Sequence, residues 1–81
     1  MRIKIKVKIK EKERNSVSID TDFIRLDSFL KLCNAVPTGG YAKIIIEAGE
    51  VKVNDEVCLQ RGKKLRKGDS AEFNNIIYEI K

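Results

Sequence analysis

At Leu26 the spacing of apolar residues changes from two to three and four, and this switch fixes the class of fold. Upstream, Ile3, Ile5, Val7 and Ile9 alternate with Arg2, Lys4, Lys6, Lys8 and Lys10, the period of a strand with one basic face. Downstream, Leu26, Phe29, Leu30 and Cys33 fall at i, i+3, i+4 and i+7, one stripe of a helix, with Asp27 and Lys31 spaced to pair outside it. A chain of 81 residues that must bury both kinds of face has room for one core, so a single α+β domain is expected, with no separate catalytic domain.

The remaining pattern fills in that domain. The polar run over residues 11–16 is expected to turn the chain, after which Val17, Ile19 and Thr21 alternate again, giving a hairpin with a long connection. The first helix must stop before Pro37, because the residue ahead of a proline is pushed out of helical geometry. Thr38 offers a capping oxygen for a second helix over residues 41–48, closed by Gly49, with Ala42, Ile45 and Ile46 turned to the first helix. Val51 and Val53, a turn at Asn54 and Asp55, and Val57 and Leu59 read as short antiparallel strands. A basic connection punctuated by Gly62, Gly68 and Asp69 then leads to a strand at 71–73, a turn at Asn74 and Asn75, and a last strand over 76–80.

Charge narrows the partner. The net charge is +5, and residues 1–14 alone account for it: seven Lys or Arg stand there against two Glu, while residues 15–81 hold ten of each sign. Basic surface beyond the N-terminus must therefore come from clustering. No apolar run reaches the length of a membrane span or forms a signal peptide, so a cytoplasmic protein with no membrane partner is expected. Two cysteines and no histidine cannot complete a four-ligand zinc site, and free buried thiols are the plain expectation. Without histidine or clustered carboxylates neither a triad nor a metal centre can be drawn, so the chain is expected not to be an enzyme, with no cofactor and no small-molecule substrate. The five aromatic residues mostly sit where the apolar pattern needs them, which argues against a platform for successive stacked bases.

Three features could bind a polyanion. In Thr38-Gly39-Gly40-Tyr41-Ala42-Lys43, glycines stand at the mouth of a helix, where free N–H groups and the positive dipole end attract a phosphate and Lys43 adds a mobile charge. The plain alternative is a turn and a capped helix. Arg61, Lys63, Lys64, Arg66 and Lys67 form the second feature, five cations with no acid between Val57 and Gly68 and with Leu65 as the expected anchor to the core. Such a run is often only a solvated face, but neutralising phosphates with it would release counterions and give sequence-independent affinity. The basic face at residues 2–10 is the third, and its lysines could equally serve to discourage edge-to-edge pairing.

Taken in order, Ile24-Arg25-Leu26-Asp27-Ser28-Phe29-Leu30-Lys31, Gly39-Gly40-Tyr41-Ala42-Lys43, Gly49-Glu50-Val51-Lys52-Val53-Asn54 and Lys64-Leu65-Arg66-Lys67-Gly68-Asp69 form a series. It resembles the S-four RNA-binding domain, named after a small-subunit ribosomal protein, and especially its short stand-alone YaaA-like branch, from about Ile24 to Phe73. The resemblance implies an alpha-L RNA-binding fold: two short packed helices against a small antiparallel sheet, here with an extra N-terminal strand or hairpin. Residues 24–81 would form the RNA-binding domain and residues 1–23 a basic extension of it. On the family's pattern Arg25 and Lys31 from the first helix, Thr38 and Lys43 at the second, and the loop cations would face RNA. The chain departs from it in two places. Asp55 stands where the family usually has glycine, and Gly39 and Gly40 stand where many members carry an arginine, so backbone amides would replace a guanidinium there.

The expected function is non-catalytic binding of structured RNA, ribosomal or ribosome-associated, through phosphate contacts and shape. The ribosomal part comes from the resemblance alone. The rival is a protein-interaction module that uses the strand at residues 2–10 as an edge and the basic loops against an acidic partner.

Overall fold

The computed structural model describes residues 12–81; the basic alternation over residues 2–10, and with it the edge strand of the rival reading, lies outside the described residues. In chain order come β1 (Glu13–Val17), β2 (Ile24–Arg25), α1 (Leu26–Leu32), α2 (Gly39–Glu47), β3 (Lys52–Val53), β4 (Glu56–Val57), β5 (Lys64–Leu65), β6 (Ser70–Phe73) and β7 (Ile76–Ile80). The main sheet has the order β1-β7-β6-β3-β4, and β2 pairs with β5 in a separate antiparallel ribbon. This is the expected α+β architecture of two helices against a small sheet.

The helices form where the apolar stripe requires them. Leu26, Phe29 and Leu30 of α1 and Ala42, Ile45 and Ile46 of α2 are buried and meet Val36, Val51, Val53, Leu65, Ala71, Tyr78 and Ile80 in one core. Large side chains such as Phe29, Leu26, Leu30 and Ile46 are wholly enclosed, and each contributes about 1.5–3 kcal/mol of apolar burial. Both helices end alike. After α1 the N–H of Asn34 donates to the Lys31 carbonyl and that of Ala35 to Leu30, both at 3.0 Å; after α2 the N–H of Gly49 donates to Ile46 and that of Glu50 to Ile45, again at 3.0 Å. The pattern needs a left-handed residue past the helix end, supplied by Asn34 at φ 61° and Gly49 at φ 81°.

Several boundaries differ from the sequence reading. The second helix starts at Gly39, two residues earlier than expected, because Thr38 caps it and accepts from the Tyr41 N–H at 3.1 Å, which makes both glycines helical. Asp27 pairs with Arg25 at 3.0 Å and not with Lys31, since Arg25 immediately precedes the helix and reaches back over its first turn. Residues 13–16 do not turn the chain: they belong to β1, which runs parallel to β7 from Glu13↔Ile76 to Val17↔Ile80. An extra N-terminal strand is thus present, joined to the sheet in parallel and not through a hairpin among the described residues. Val57 and Leu59 alternate as expected but lie exposed, beside Gly49 and away from the core.

The two hairpins behave as their turn residues dictate. Asn54 and Asp55 have φ of 50° and 72° between β3 and β4, and Asn74 and Asn75 have φ of 59° and 66° between β6 and β7. Both residues of such a two-residue turn must be left-handed, a geometry Asn and Asp tolerate. Asp55 therefore fills the place where the family usually has glycine by adopting glycine's geometry.

Candidate functional site

The basic segment 61–67 is fastened at both ends. At its start, the Leu26 N–H donates to the Lys63 carbonyl at 2.8 Å and the Asp27 N–H to the Arg61 carbonyl at 3.1 Å. These are orphan N–H groups of the first turn of α1, which has no side-chain cap of its own. The loop serves as that cap, and the Ser28 N–H is closed by the Asp27 carboxylate at 2.8 Å. In the middle, β5 pairs with β2 in the register Arg25↔Lys64 and Ile24↔Leu65, with Leu65 fully buried as the expected anchor. At its exit, the Arg66 N–H donates to Asp69 at 2.8 Å. The Asn54 side-chain amide donates to the same carboxylate at 3.1 Å and its carbonyl accepts from the Ser70 N–H at 3.0 Å.

The structure therefore brings Arg25, Arg61, Lys63, Lys64 and Arg66 together around the β2–β5 ribbon. Arg25 lies over Gly62, where an added Cβ would sit 3.8 Å from its guanidinium. Among the described residues, none of Arg61, Lys63, Lys64, Arg66 and Lys67 lies within ion-pair distance of an acid, whereas Arg25 is paired to Asp27. All are exposed.

Lys31 lies in the last turn of α1, and Thr38, Gly39, Gly40 and Lys43 lie at the start of α2. Lys31 is about 9 Å along the helix axis from Arg25, and no hydrogen bond or ion pair joins these residues to the ribbon cations among the described residues. The Gly39 and Gly40 N–H groups have no hydrogen-bond partner among the described residues, and Lys43 lies one turn further along α2. A Cβ at Gly39 would meet nothing within 4 Å, and one at Gly40 only the Thr38 Oγ1 at 3.9 Å. The protein itself does not crowd these positions, so their open surface is turned outward. Thr38 spends its oxygen on the cap, as the plain reading of the motif holds.

Two thiols remain to be placed. Cys33 and Cys58 are free and half-buried, less enclosed than expected. Burial pushes the Cys33 thiol up to about 12, which keeps it protonated. Sequence reasoning missed Phe23. Counted there only among five aromatics that mostly fit the apolar pattern, it is 38% exposed and lies against Lys64 and Arg66, with the Lys64 Nζ 4.8 Å and the Arg66 Cζ 5.8 Å from its ring centroid. No local signal gave its direction, because β2 and β5 are two residues each, too short to show a period.

Clamped basic ribbon, helix pair and antiparallel hairpins together define a small α+β module of the kind the sequence motifs resembled. Residues 17–81 match the model of the S4 domain, and the chain belongs to the S4 domain family. Over 57 residues it is 48% identical to the probable ribosome maturation protein RlbA of Bacillus subtilis (strain 168), an alignment that covers 70% of this chain and 80% of that protein. The match to the family extends beyond the segment from Ile24 to Phe73 that carried the resemblance, and takes in the end of β1. Among the described residues no helix is long and apolar enough to cross a membrane.

Proposed function

We propose that this protein is a non-catalytic RNA-binding module acting on structured RNA, ribosomal or ribosome-associated, through phosphate contacts and shape. One observation supports the reading above all: the backbone of segment 61–67, whose five cations have no acid within ion-pair distance among the described residues, is held by hydrogen bonds to the N-terminus of α1 and to the Asp69 carboxylate. A backbone fixed in this way is not ordered anew on meeting phosphates, so less of the electrostatic gain from counterion release is lost. Membership of the S4 family and likeness to a protein named for ribosome maturation support the choice of RNA and of the ribosome.

In this reading Arg61, Lys63, Lys64, Arg66 and Lys67 supply the main charge and Arg25 extends it. Lys31 at the end of α1 and Thr38, Gly39, Gly40 and Lys43 at the start of α2 form a second contact, with open backbone N–H groups for a phosphate oxygen. Residues 1–23 act as a basic extension of the same domain. If about four to six phosphates are neutralised, log affinity falls against log salt with a slope of roughly −3 to −5. Crosslinking in cells followed by sequencing of the bound RNA tests the target: enrichment of ribosomal RNA is expected. A flat salt response removes the phosphate model, and enrichment of unrelated messages removes the ribosomal part.

A further inference from the structure

The β2–β5 ribbon has two faces, and its period-two alternation sorts them. Ile24 and Leu65, opposite each other in register, turn toward the core; Leu65 is fully buried and Ile24 half-buried. The same alternation turns Phe23, Arg25, Lys64 and Arg66 outward, and all four are exposed. Continuing the register one step places Phe23 opposite Arg66, and the observed contacts agree: the Lys64 Nζ sits 4.8 Å and the Arg66 Cζ 5.8 Å from the ring centroid. The result is one accessible aromatic ring set among three cations. The Thr21 hydroxyl donates to the Phe23 carbonyl at 2.8 Å and fixes the approach of the chain to the ring.

We infer that this face receives a single unpaired base of the bound RNA, stacked on Phe23, with the flanking phosphates neutralised by Lys64 and Arg66. The inference rests on the RNA-binding reading above and names which part of the RNA the ribbon takes. A nucleotide joins one flat π surface to a phosphate on either side, which matches one ring flanked by cations. In a continuous duplex that surface is hidden between neighbours, so the base must come from a bulge, a loop or a strand end. Lys64 and Arg66 occupy the ring in the free protein because no carboxylate is within ion-pair distance of them among the described residues. Phosphate offers both a stronger partner, and an exposed cation on a ring is a weaker contact than a stacked base. Binding thus exchanges two weak contacts for a stack and two charge pairs.

The test compares two blunt-ended RNA stems of equal length without loops or overhangs, one fully paired and one with a single bulged adenosine, titrated against the full chain and two variants. Wild type is expected to favour the bulged RNA by roughly 5- to 100-fold, the range of one base–aromatic stack. Phe23→Leu, which keeps an apolar side chain beside β2, should erase the preference while binding the paired stem as before. Phe23→Trp should retain it, which ties the preference to the aromatic ring, while unchanged binding of the paired stem by the leucine variant shows that its loss is not a failure to fold. A preference unchanged by Phe23→Leu overturns the proposal. So does wild-type binding to both RNAs equally with a steep salt dependence, an outcome that leaves the RNA-binding reading intact. Binding to neither RNA instead brings down that reading and the stacked base with it.

Discussion

Lys12 and Arg14 at one edge of the main sheet and Lys64 and Arg66 on the β2–β5 ribbon are comparable cations on short extended segments, yet the fold uses them in opposite ways. Lys12 reaches Glu72 on β6 and Arg14 reaches Glu79 on β7, each at 2.8 Å. Between them on the same face lies Ile77, in register with Arg14 on one side and Glu72 on the other, buried although it stands outside the main core. The aliphatic stems of such cations cover apolar surface while their heads pair. Lys64 and Arg66 have no acid within ion-pair distance among the described residues and rest on Phe23 instead. Charge at β1 is thus consumed in attaching a parallel strand, and charge on the ribbon is left available. Net charge by segment ranks the two regions the other way round, because it cannot see which cations already have partners.

The comparison breaks most visibly under charge reversal on the ribbon. Replacing Lys63, Lys64 and Arg66 together by Glu should weaken binding to a structured RNA on the order of 100-fold or more, since three attractions become three repulsions at fixed positions. Circular dichroism should stay that of the wild type, because the bonds that hold the segment are made by its backbone. A loss below about threefold, within the range of a merely solvated charge run, removes the ribbon from the interface.

How much of this could be read beforehand depends on whether the signal was local. The stripe of Leu26, Phe29 and Leu30, the turns at Asn54-Asp55 and Asn74-Asn75 and the buried anchor Leu65 were legible, because each follows from residue spacing or from backbone geometry that few residues tolerate. Pairing was not. Nothing in the spacing of Glu13 to Val17 says that this strand lies parallel to β7, 63 positions away in the register Glu13↔Ile76. The ribbon was hidden for the same reason, since two-residue strands are too short to produce a period. The candidate cations could be named from their density, but their capping of α1 could not. That contact is made by the carbonyls of Arg61 and Lys63, which carry no side-chain signature. Phe23 was left unplaced because an aromatic beside Ile24 resembles core until the partner strand shows which way it faces.

A medium effect should come from the residue that holds the exit of the ribbon. Asn54 adopts φ 50° and makes hydrogen bonds with Asp69 and Ser70 that no other side chain in the turn makes. Asn54→Ala loses those bonds and strains the left-handed backbone, so urea unfolding should report a loss of about 1–3 kcal/mol. Asn54→Gly keeps the backbone geometry and should recover part of it. RNA affinity should fall in the alanine variant by less than in the triple reversal, because the cations remain but their frame is looser. An affinity unchanged despite the lost stability would mean that the clamp at Asp69 does not position the ribbon.

The smallest effect sharpens the other half of the comparison. Lys12→Ala and Arg14→Ala each remove one ion pair on the outer face of the sheet, in which one or both partners are open to solvent. Pairs of that kind are worth about 0.2–1 kcal/mol and weaken with salt, so each variant should shift the unfolding midpoint slightly, and less at high ionic strength. RNA affinity and its salt slope should stay at wild-type values, since a cation already neutralised by a carboxylate releases no counterion when phosphate arrives. The informative control is Glu72→Gln with Glu79→Gln. These changes free Lys12 and Arg14 without removing them, and the salt slope should become steeper if the freed charges can reach the RNA. A slope that shallows in Lys12→Ala itself would mean that this cation leaves Glu72 for phosphate in the complex, and the division between attaching charge and binding charge would fail at β1.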